Sequence, residues 1–421
     1  MDGFAEDNSI PNLTPEKLFR MSHVNLNHHE SFYGVGDVHG DMFALLTALQ
    51  LTGCVQIDRQ HFQSSGKCWS NPNYTVEVTK RDAPLKNITN TIQWVGNTSV
   101  IAFLGDIFDN RRSERHPENG QCSWSGTQFE MLSILLHLKT QAKQQGGNVI
   151  WILGNHDVWN VSPIPTGVCE RYGAKKQTCS GNVCSLSENQ SYTACHNGAF
   201  SKQHRDNVRN YMIRMEAVAL LKISNGCIDK HLCQFSGGGP EANTHVLALH
   251  GGMGKRCEQG TLKSLTSLSR VADLQENDHH MNIIRINMLY LDTIYNHPED
   301  QTRFRTLELP FMPTWCRPQK IDNAAELKTY FGTSKMIKAH DGQRKGANCN
   351  GNYSENEKAY DGQADLCFMD VYMSRAFNQG AKDKKEFACI KLFRKNDGRI
   401  YRQLMKTYRK LNENLEYTVV S

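Results

Sequence analysis

Five short apolar runs in this chain each end directly on a residue type that binds metals. Phe32-Tyr33-Gly34-Val35 leads into Gly36-Asp37-Val38-His39-Gly40, and Val100 to Leu104 leads into Gly105-Asp106-Ile107-Phe108-Asp109. Val149 to Leu153 leads into Gly154-Asn155-His156-Asp157, Val246 to Leu249 into His250-Gly251-Gly252, and Met336 to Ala339 into His340-Asp341-Gly342. Short β-branched runs bounded by glycine read as buried strands. In open α/β sheets, ligands sit outside the carboxyl ends of the strands. A sheet built from these runs therefore gathers Asp37, His39, Asp106, Asn155, His250 and His340 at one edge. Two aspartates, three histidines and one asparagine form a mixed N/O donor set suited to paired divalent cations.

Such a donor set suits phosphoester chemistry. The oxygens of a phosphate ester repel a nucleophile, and two adjacent metal ions can neutralise them while acidifying a bridging water. Asp106 is the best candidate for a bridging carboxylate. Asp37 and His39 are two residues apart, so both face one ion only from a turn, which the flanking glycines permit. Asn155, His250 and His340 would serve the second ion. The leaving oxygen needs a proton, and His156, directly after Asn155, is the candidate general acid, with Asp109 placed to hold its ring. Guanidinium groups should clamp the remaining phosphate oxygens. Arg111 is a candidate, although a solvated loop charge is the plainer reading. Taken singly, each motif is an ordinary turn; the weight lies in all five occurring in order, each behind an apolar run.

Composition restricts the rest. With 421 residues, the chain can bury a sizeable core as one large domain with insertions or as two domains. A net charge of +5 suits an anionic substrate without requiring one. No compact Lys/Arg tract stands out, so nucleic acid is not an expected partner. No signal segment and no run of about 20 apolar residues is evident, which makes a cytoplasmic protein without a membrane span the expectation. None of the 14 cysteines forms a C-x-x-C pair. Reduced thiols are expected, Cys316 among them, with one or two disulfides in the insertions as the alternative.

Along the chain, residues 1–30 read as a lead-in and 31–51 as strand, turn and helix. Residues 52–98 read as an irregular insertion with a small hairpin near Tyr74. The spacing of Phe129, Met131, Leu132, Leu135, Leu136 and Leu138 predicts a helix over 127–145, closed by Gly146-Gly147. Residues 158–243 form a second insertion, loop-like at first and helical over about 203–222. Residues 258–306 are expected to be mostly helical, and 366–372 and 387–394 to be closing strands. Asn396-Asp397-Gly398 marks a hairpin turn. The catalytic domain is thus expected over 31–410, with insertions at about 55–98 and 158–243 and a tail at 411–421.

The ordered set of motifs resembles the phosphoprotein phosphatase family of calcineurin-like metallophosphoesterases. The strings beginning at Gly36, Leu153, Pro313 (Pro-Thr-Trp-Cys-Arg) and Phe368 (Phe-Met-Asp-Val-Tyr-Met-Ser-Arg) are most similar to its Shewanella-like, bacterial-type branch. The resemblance implies an α/β layered fold with a central β-sandwich flanked by helices. It implies Asp37, His39 and Asp106 on one metal, and Asp106, Asn155, His250 and His340 on the other. It further implies His156 as acid with Asp109 as its partner, Arg317 as a phosphate clamp, and manganese, iron or zinc as the metals. The chain departs from the family pattern in three places. Asn110-Arg111 stands where Arg-Gly is usual, Asp157 stands where Glu is usual, and Lys338-Ala339 precedes the last histidine in place of Val-Gly.

The leading expectation is a phosphomonoesterase acting on phosphoproteins. Asp157 supports an alternative, a pyrophosphohydrolase acting on dinucleoside polyphosphates or RNA caps. The missing arginine supports another, a metal-bound scaffold without activity.

Overall fold

The computed structural model describes residues 31–38, 42–58, 91–107, 127–155, 157, 218–224, 243–253, 274–296, 313–314, 316–317, 321, 323–340, 348–349, 358–359, 365–368, 384–395, 400–411 and 417–420. In chain order these form β1 (Ser31–Val35), α1 (Met42–Leu51), β2 (Val55–Ile57), β3 (Ile92–Trp94), β4 (Val100–Phe103), α2 (Thr127–Gln144) and β5 (Asn148–Trp151). There follow β6 (Val218–Ser224), β7 (Asn243–Leu249), α3 (His279–Asn296), α4 (Ala324–Phe331), β8 (Lys335–Lys338), β9 (Asn348–Cys349) and β10 (Lys358–Ala359). The last elements are β11 (Asp365–Phe368), β12 (Lys384–Arg394), β13 (Ile400–Leu411) and β14 (Tyr417–Val420).

Among the described residues the strands form a seven-stranded sheet, a five-stranded sheet and the two-stranded pair β2–β3. The larger sheet runs β10-β13-β12-β1-β4-β5, with β14 also paired to β13. The smaller runs β6-β7-β8-β11-β9. The architecture is mixed α/β with open sheets, as expected. Within the larger sheet, β1, β4 and β5 are parallel. Within the smaller, β7, β8 and β11 are parallel. Every residue of β4 is buried, and only the first residue of β1 and of β5 is not. Near-continuous burial is what a strand covered on both faces requires, and it explains why these segments read as unbroken apolar runs.

The two sheets meet at Gly34 of β1, where a Cβ would lie 3.0 Å from Ile390 Cγ2 of β12 and 3.3 Å from Ile337 Cγ2 of β8. A single core cluster includes Phe32, Phe103 and Ile150 of the larger sheet and Val246, Leu247 and Ile337 of the smaller. α1 and α2 pack on the larger sheet, while α3 lies against α4 and β6. α2 buries Met131, Ile134, Leu135, Leu138 and Ala142, each large apolar side chain contributing about 1.5–3 kcal/mol. It ends as the sequence indicates: Gly146 N–H donates to Lys143 O (3.2 Å) and Gly147 N–H to Ala142 O (2.8 Å), a Schellman pairing.

Two expectations change. The helix expected over about 203–222 is a strand in its described part, since β6 pairs antiparallel with β7 from Val218↔Leu249 to Ser224↔Asn243. A short apolar run such as Val-Ala-Leu-Leu does not by itself distinguish helix from strand, and the partner strand decides. In the first insertion, the ends pair as β2 and β3, bringing Val55 opposite Trp94; the hairpin expected near Tyr74 lies outside the described residues. Cys316 is disulfide-bonded where a reduced thiol was expected, while Cys54 and Cys389 are buried free thiols. β14 falls within the segment set apart as a tail. No helix among the described residues is long and apolar enough to cross a membrane.

Candidate metal centre

Asp37, Asp106, Asn155, His250 and His340 each sit one to four positions past the carboxyl end of a parallel strand. Backbone hydrogen bonds extend the strand ladders into these turns. Leu104 N–H donates to Val35 O (2.8 Å), Val38 N–H to Asp106 O (3.2 Å), Ile152 N–H to Phe103 O (2.8 Å) and Ala339 N–H to His250 O (2.9 Å). The last of these holds the two histidine turns together.

Two of the candidate ligands adopt left-handed backbone, Asp106 at φ 49° and His340 at φ 72°. Each such residue costs on the order of 1–3 kcal/mol and persists where the surroundings over-determine it, typically at functional sites. Space around Asp106 is made by removing side chains. A Cβ on Gly105 would come within 2.6 Å of His250 Nδ1, and one on Gly154 would overlap the side chain and the backbone nitrogen of Asp106.

His250 is the hub. Its Nδ1 lies 2.6 Å from Leu104 O and 3.6 Å from Asp37 Oδ1. Its Nε2 lies 3.2 Å from Asp106 Oδ2 and 3.1 Å from Asn155 Oδ1. Asp37 Oδ1 also accepts the backbone N–H of His340 at 3.3 Å. The two imidazole rings are 4.7 Å apart and tilted by 59°. One ligand atom from each of Asp106, His250 and His340 lies within 4.8 Å of the others, and all three residues are buried.

A divalent cation fits this donor set. A carbonyl oxygen only accepts, so the Nδ1 facing Leu104 carries the proton and Nε2 is left to face the Asp106 carboxylate. Lone pairs converging on one point in a buried place are stable only around positive charge, either a second ring proton or a metal ion. The charges around the ring act in the same sense. Burial alone would push His250 down, but the carboxylates of Asp106 and Asp37 outweigh it and raise it to about 9. His340 is held well below the ordinary imidazole range by its burial, by Arg317 and by His250. It is therefore neutral, as a nitrogen ligand must be.

Asp157 supports the same turn from behind. Its Oδ1 accepts Ile107 N–H and its Oδ2 accepts Gly154 N–H, both at 3.0 Å. It is buried, and burial followed by the neighbouring Asp106 raises its carboxyl to about 7. Behind the His250 turn, Pro313 O accepts the N–H groups of both Gly251 and Gly252. The adjoining Thr314 hydroxyl lies 2.8 Å from the Tyr290 hydroxyl of α3. Arg317, three residues further on and half-buried, acts on His340.

The structure thus brings Asp37, Asp106, Asn155, His250 and His340 together, and the charge of Arg317 reaches His340. His39, Asp109, Arg111 and His156 lie outside the described residues. Sequence reasoning missed the Leu104 carbonyl, the scaffolding by Asp157, and the Tyr290–Thr314 pair. The Asp157 substitution was the only visible signal among these, since a backbone carbonyl and a contact spanning 24 residues leave no local pattern.

Residues 31–304 match the calcineurin-like phosphoesterase family. Among solved structures, the chain is similar to a cold-active protein-tyrosine phosphatase from a psychrophilic Shewanella species, at 15% identity and a TM-score of 0.45, covering 95% of this chain and 82% of that one. It is also similar to the phosphatase domain of the Legionella effector WipB, at 15% identity and a TM-score of 0.40, covering 73% of this chain and 98% of that one.

Proposed function

The chain belongs to the calcineurin-like phosphoesterase family, and from that premise we propose that it is a dinuclear-metal-dependent phosphatase that hydrolyses phosphomonoesters on proteins. The observation that carries the proposal is the convergence of Asp106, His250 and His340 on one buried point, with Asp37 and Asn155 around it. Together with His39 in sequence, this makes six donors, more than one tetrahedral ion uses and enough for two ions sharing Asp106. When bound, a pair of divalent cations such as manganese, iron or zinc neutralises phosphoryl oxygens and acidifies a water for attack.

The chain's own residues do the rest. Leu104 fixes the His250 tautomer, so that Nε2 is offered to the centre. Asp37 ties the His340 turn to the first strand through its bond to the His340 N–H. His156, adjacent in sequence to Asn155, would protonate the leaving oxygen, and Asp109 would orient it. Arg317 would clamp a phosphate oxygen by charge-assisted hydrogen bonding, with Arg111 as a further candidate. Asp157 had suggested a nucleotide substrate. Its two oxygens accept backbone N–H groups, so it shapes the turn whichever substrate is cleaved.

The test is metal analysis of the purified chain alongside hydrolysis rates for a phosphopeptide, para-nitrophenyl phosphate and diadenosine tetraphosphate. About two divalent ions per chain and chelator-sensitive phosphopeptide turnover are expected. A metal-free active protein, or cleavage of the dinucleotide alone, would overturn the proposal.

A further inference from the structure

The β12–β13 hairpin outruns the sheet that carries the metal centre, and it does so on the metal-centre side. β1 runs toward Asp37 and ends at Val35, which pairs with Cys389. β12 is antiparallel to β1, so its residues 384–388 lie beyond Val35 in the direction of the site. They remain paired with β13 throughout, from Ala388↔Lys406 to Lys384↔Lys410. At about 3.3 Å per residue the arm reaches roughly 15 Å past the end of β1. β12 is the immediate neighbour of β1, so the overhang rises beside the turn that holds Asp37.

The composition of this overhang is unlike that of the chain. It contains Lys384, Lys385, Lys406, Arg409 and Lys410 against the single acid Glu386, a net of +4 where the whole chain carries +5. The register sets like charges opposite one another twice in succession, Lys384↔Lys410 and Lys385↔Arg409. Directly opposed like charges destabilise a sheet. An arm built this way gains from an anion laid along it.

The edge of the arm indicates what kind of anion. β14 pairs with β13 over Leu411↔Tyr417 to Tyr408↔Val420. Among the described residues it has no partner on its other side. Thr418, Val419 and Val420 are β-branched, and no charge or proline guards the strand. Such an edge is a template for one more extended strand. A nucleic acid would use the charge but not the strand edge; an acidic polypeptide uses both.

We infer that the β12–β13–β14 arm docks an extended acidic stretch of the protein substrate, flanking its phosphorylated residue. The inference rests on the phosphatase reading for calling that polypeptide a substrate. The arm selects substrate by charge at a distance from the reacting atoms, and it favours phosphosites with Asp or Glu nearby.

The test uses the full chain and, as probe, a fluorescein-labelled unphosphorylated peptide of alternating Glu and Val, followed by anisotropy. Lys385→Glu with Lys410→Glu should weaken binding roughly tenfold or more, and Lys385→Gln with Lys410→Gln about threefold. The milder pair decides the matter if charge reversal impairs folding. A phosphopeptide with acidic flanks should have a kcat/KM roughly tenfold above one with neutral flanks in the unaltered chain, approaching parity in the reversed variant. Unchanged affinity in the Gln variant, equal binding of a neutral peptide, or preference for a single-stranded RNA of matched charge would each overturn the inference. Anisotropy needs no turnover. Peptide binding in a chain that hydrolyses no phosphoester would uphold the arm and sink the enzymatic reading; turnover indifferent to flanking charge would sink the arm alone.

Discussion

His250 Nδ1 donates to the carbonyl oxygen of Leu104 across 2.6 Å, linking the end of β7 in one sheet to the end of β4 in the other. The bond does two things. It joins the sheets at the edge where the candidate ligands emerge, and it fixes which ring nitrogen faces Asp106. A ligating histidine whose second nitrogen is committed to a backbone carbonyl is oriented before any ion arrives, and loss of such support commonly costs 10–100-fold in metal affinity, as an order of magnitude. Leu104 supplies this through its main chain, so its side chain is free to serve the core.

Asp106→Asn and His156→Asn should separate ligand from acid. Asp106→Asn removes the anion proposed to be shared by both ions, and metal content measured by elemental analysis should fall for both. His156→Asn should keep its metal and lose turnover by roughly 10²–10⁴-fold, the usual contribution of a general acid. Equal metal loss in the two variants would show that the roles are misassigned.

Gly154→Ala should damage the centre without touching a ligand. The added methyl has no room beside Asp106, so either the Asp106 turn or the β5 end must move. Overpacking of this kind costs typically about 1–3 kcal/mol of stability. Metal affinity, read by chelator competition, should fall at least as sharply as the urea midpoint. Unaltered metal affinity would show that Asp106 is not held where the structure places it.

Much of this centre was legible because its residues obey a local rule. Asp37, Asp106, Asn155, His250 and His340 each follow a buried run, and burial on both faces leaves a continuous apolar signature. Helix α2 was equally legible through its apolar spacing and closing glycines. β6 was not, because Val218-Ala-Leu-Leu carries no period that distinguishes strand from helix until β7 lies beside it. Nor could the basic overhang be read along the chain. Lys384 and Lys385 are 20 or more residues from Lys406, Arg409 and Lys410, and only register makes them neighbours. Cys316 shows the same limit, since its disulfide bond depends on a partner that spacing alone did not indicate.

Tyr290→Phe should raise KM for phosphorylated substrates while leaving metal content intact. The Tyr290 hydroxyl meets the Thr314 hydroxyl at 2.8 Å, and both residues are buried. The segment they fix holds the His250 turn through Pro313 O and carries Arg317 toward His340. Losing this hydrogen bond between two buried hydroxyls costs about 0.5–1.5 kcal/mol. A misplaced guanidinium weakens phosphate binding more than metal binding, so steady-state kinetics should show the change in KM and elemental analysis none. A loss of metal equal to the loss of substrate affinity would place Tyr290 in the metal scaffold instead.

His137 should make the fold sensitive to mild acid. It sits on α2 with Nε2 3.2 Å from Ile92 O. Burial lowers its pKa below the ordinary 6.5, only partly opposed by that bond. In mild acid the unfolded chain therefore takes up a proton that the folded chain resists. The stability from this position is fully present above pH 6.5 and is lost as pH falls from there toward the lowered folded value. His137→Gln keeps a polar group near Ile92 and removes the proton uptake. Between about pH 7.5 and pH 5 the urea midpoint of the unaltered chain should drop by more than that of the variant. Parallel slopes would show that His137 titrates alike in both states and contributes nothing to the acid limb.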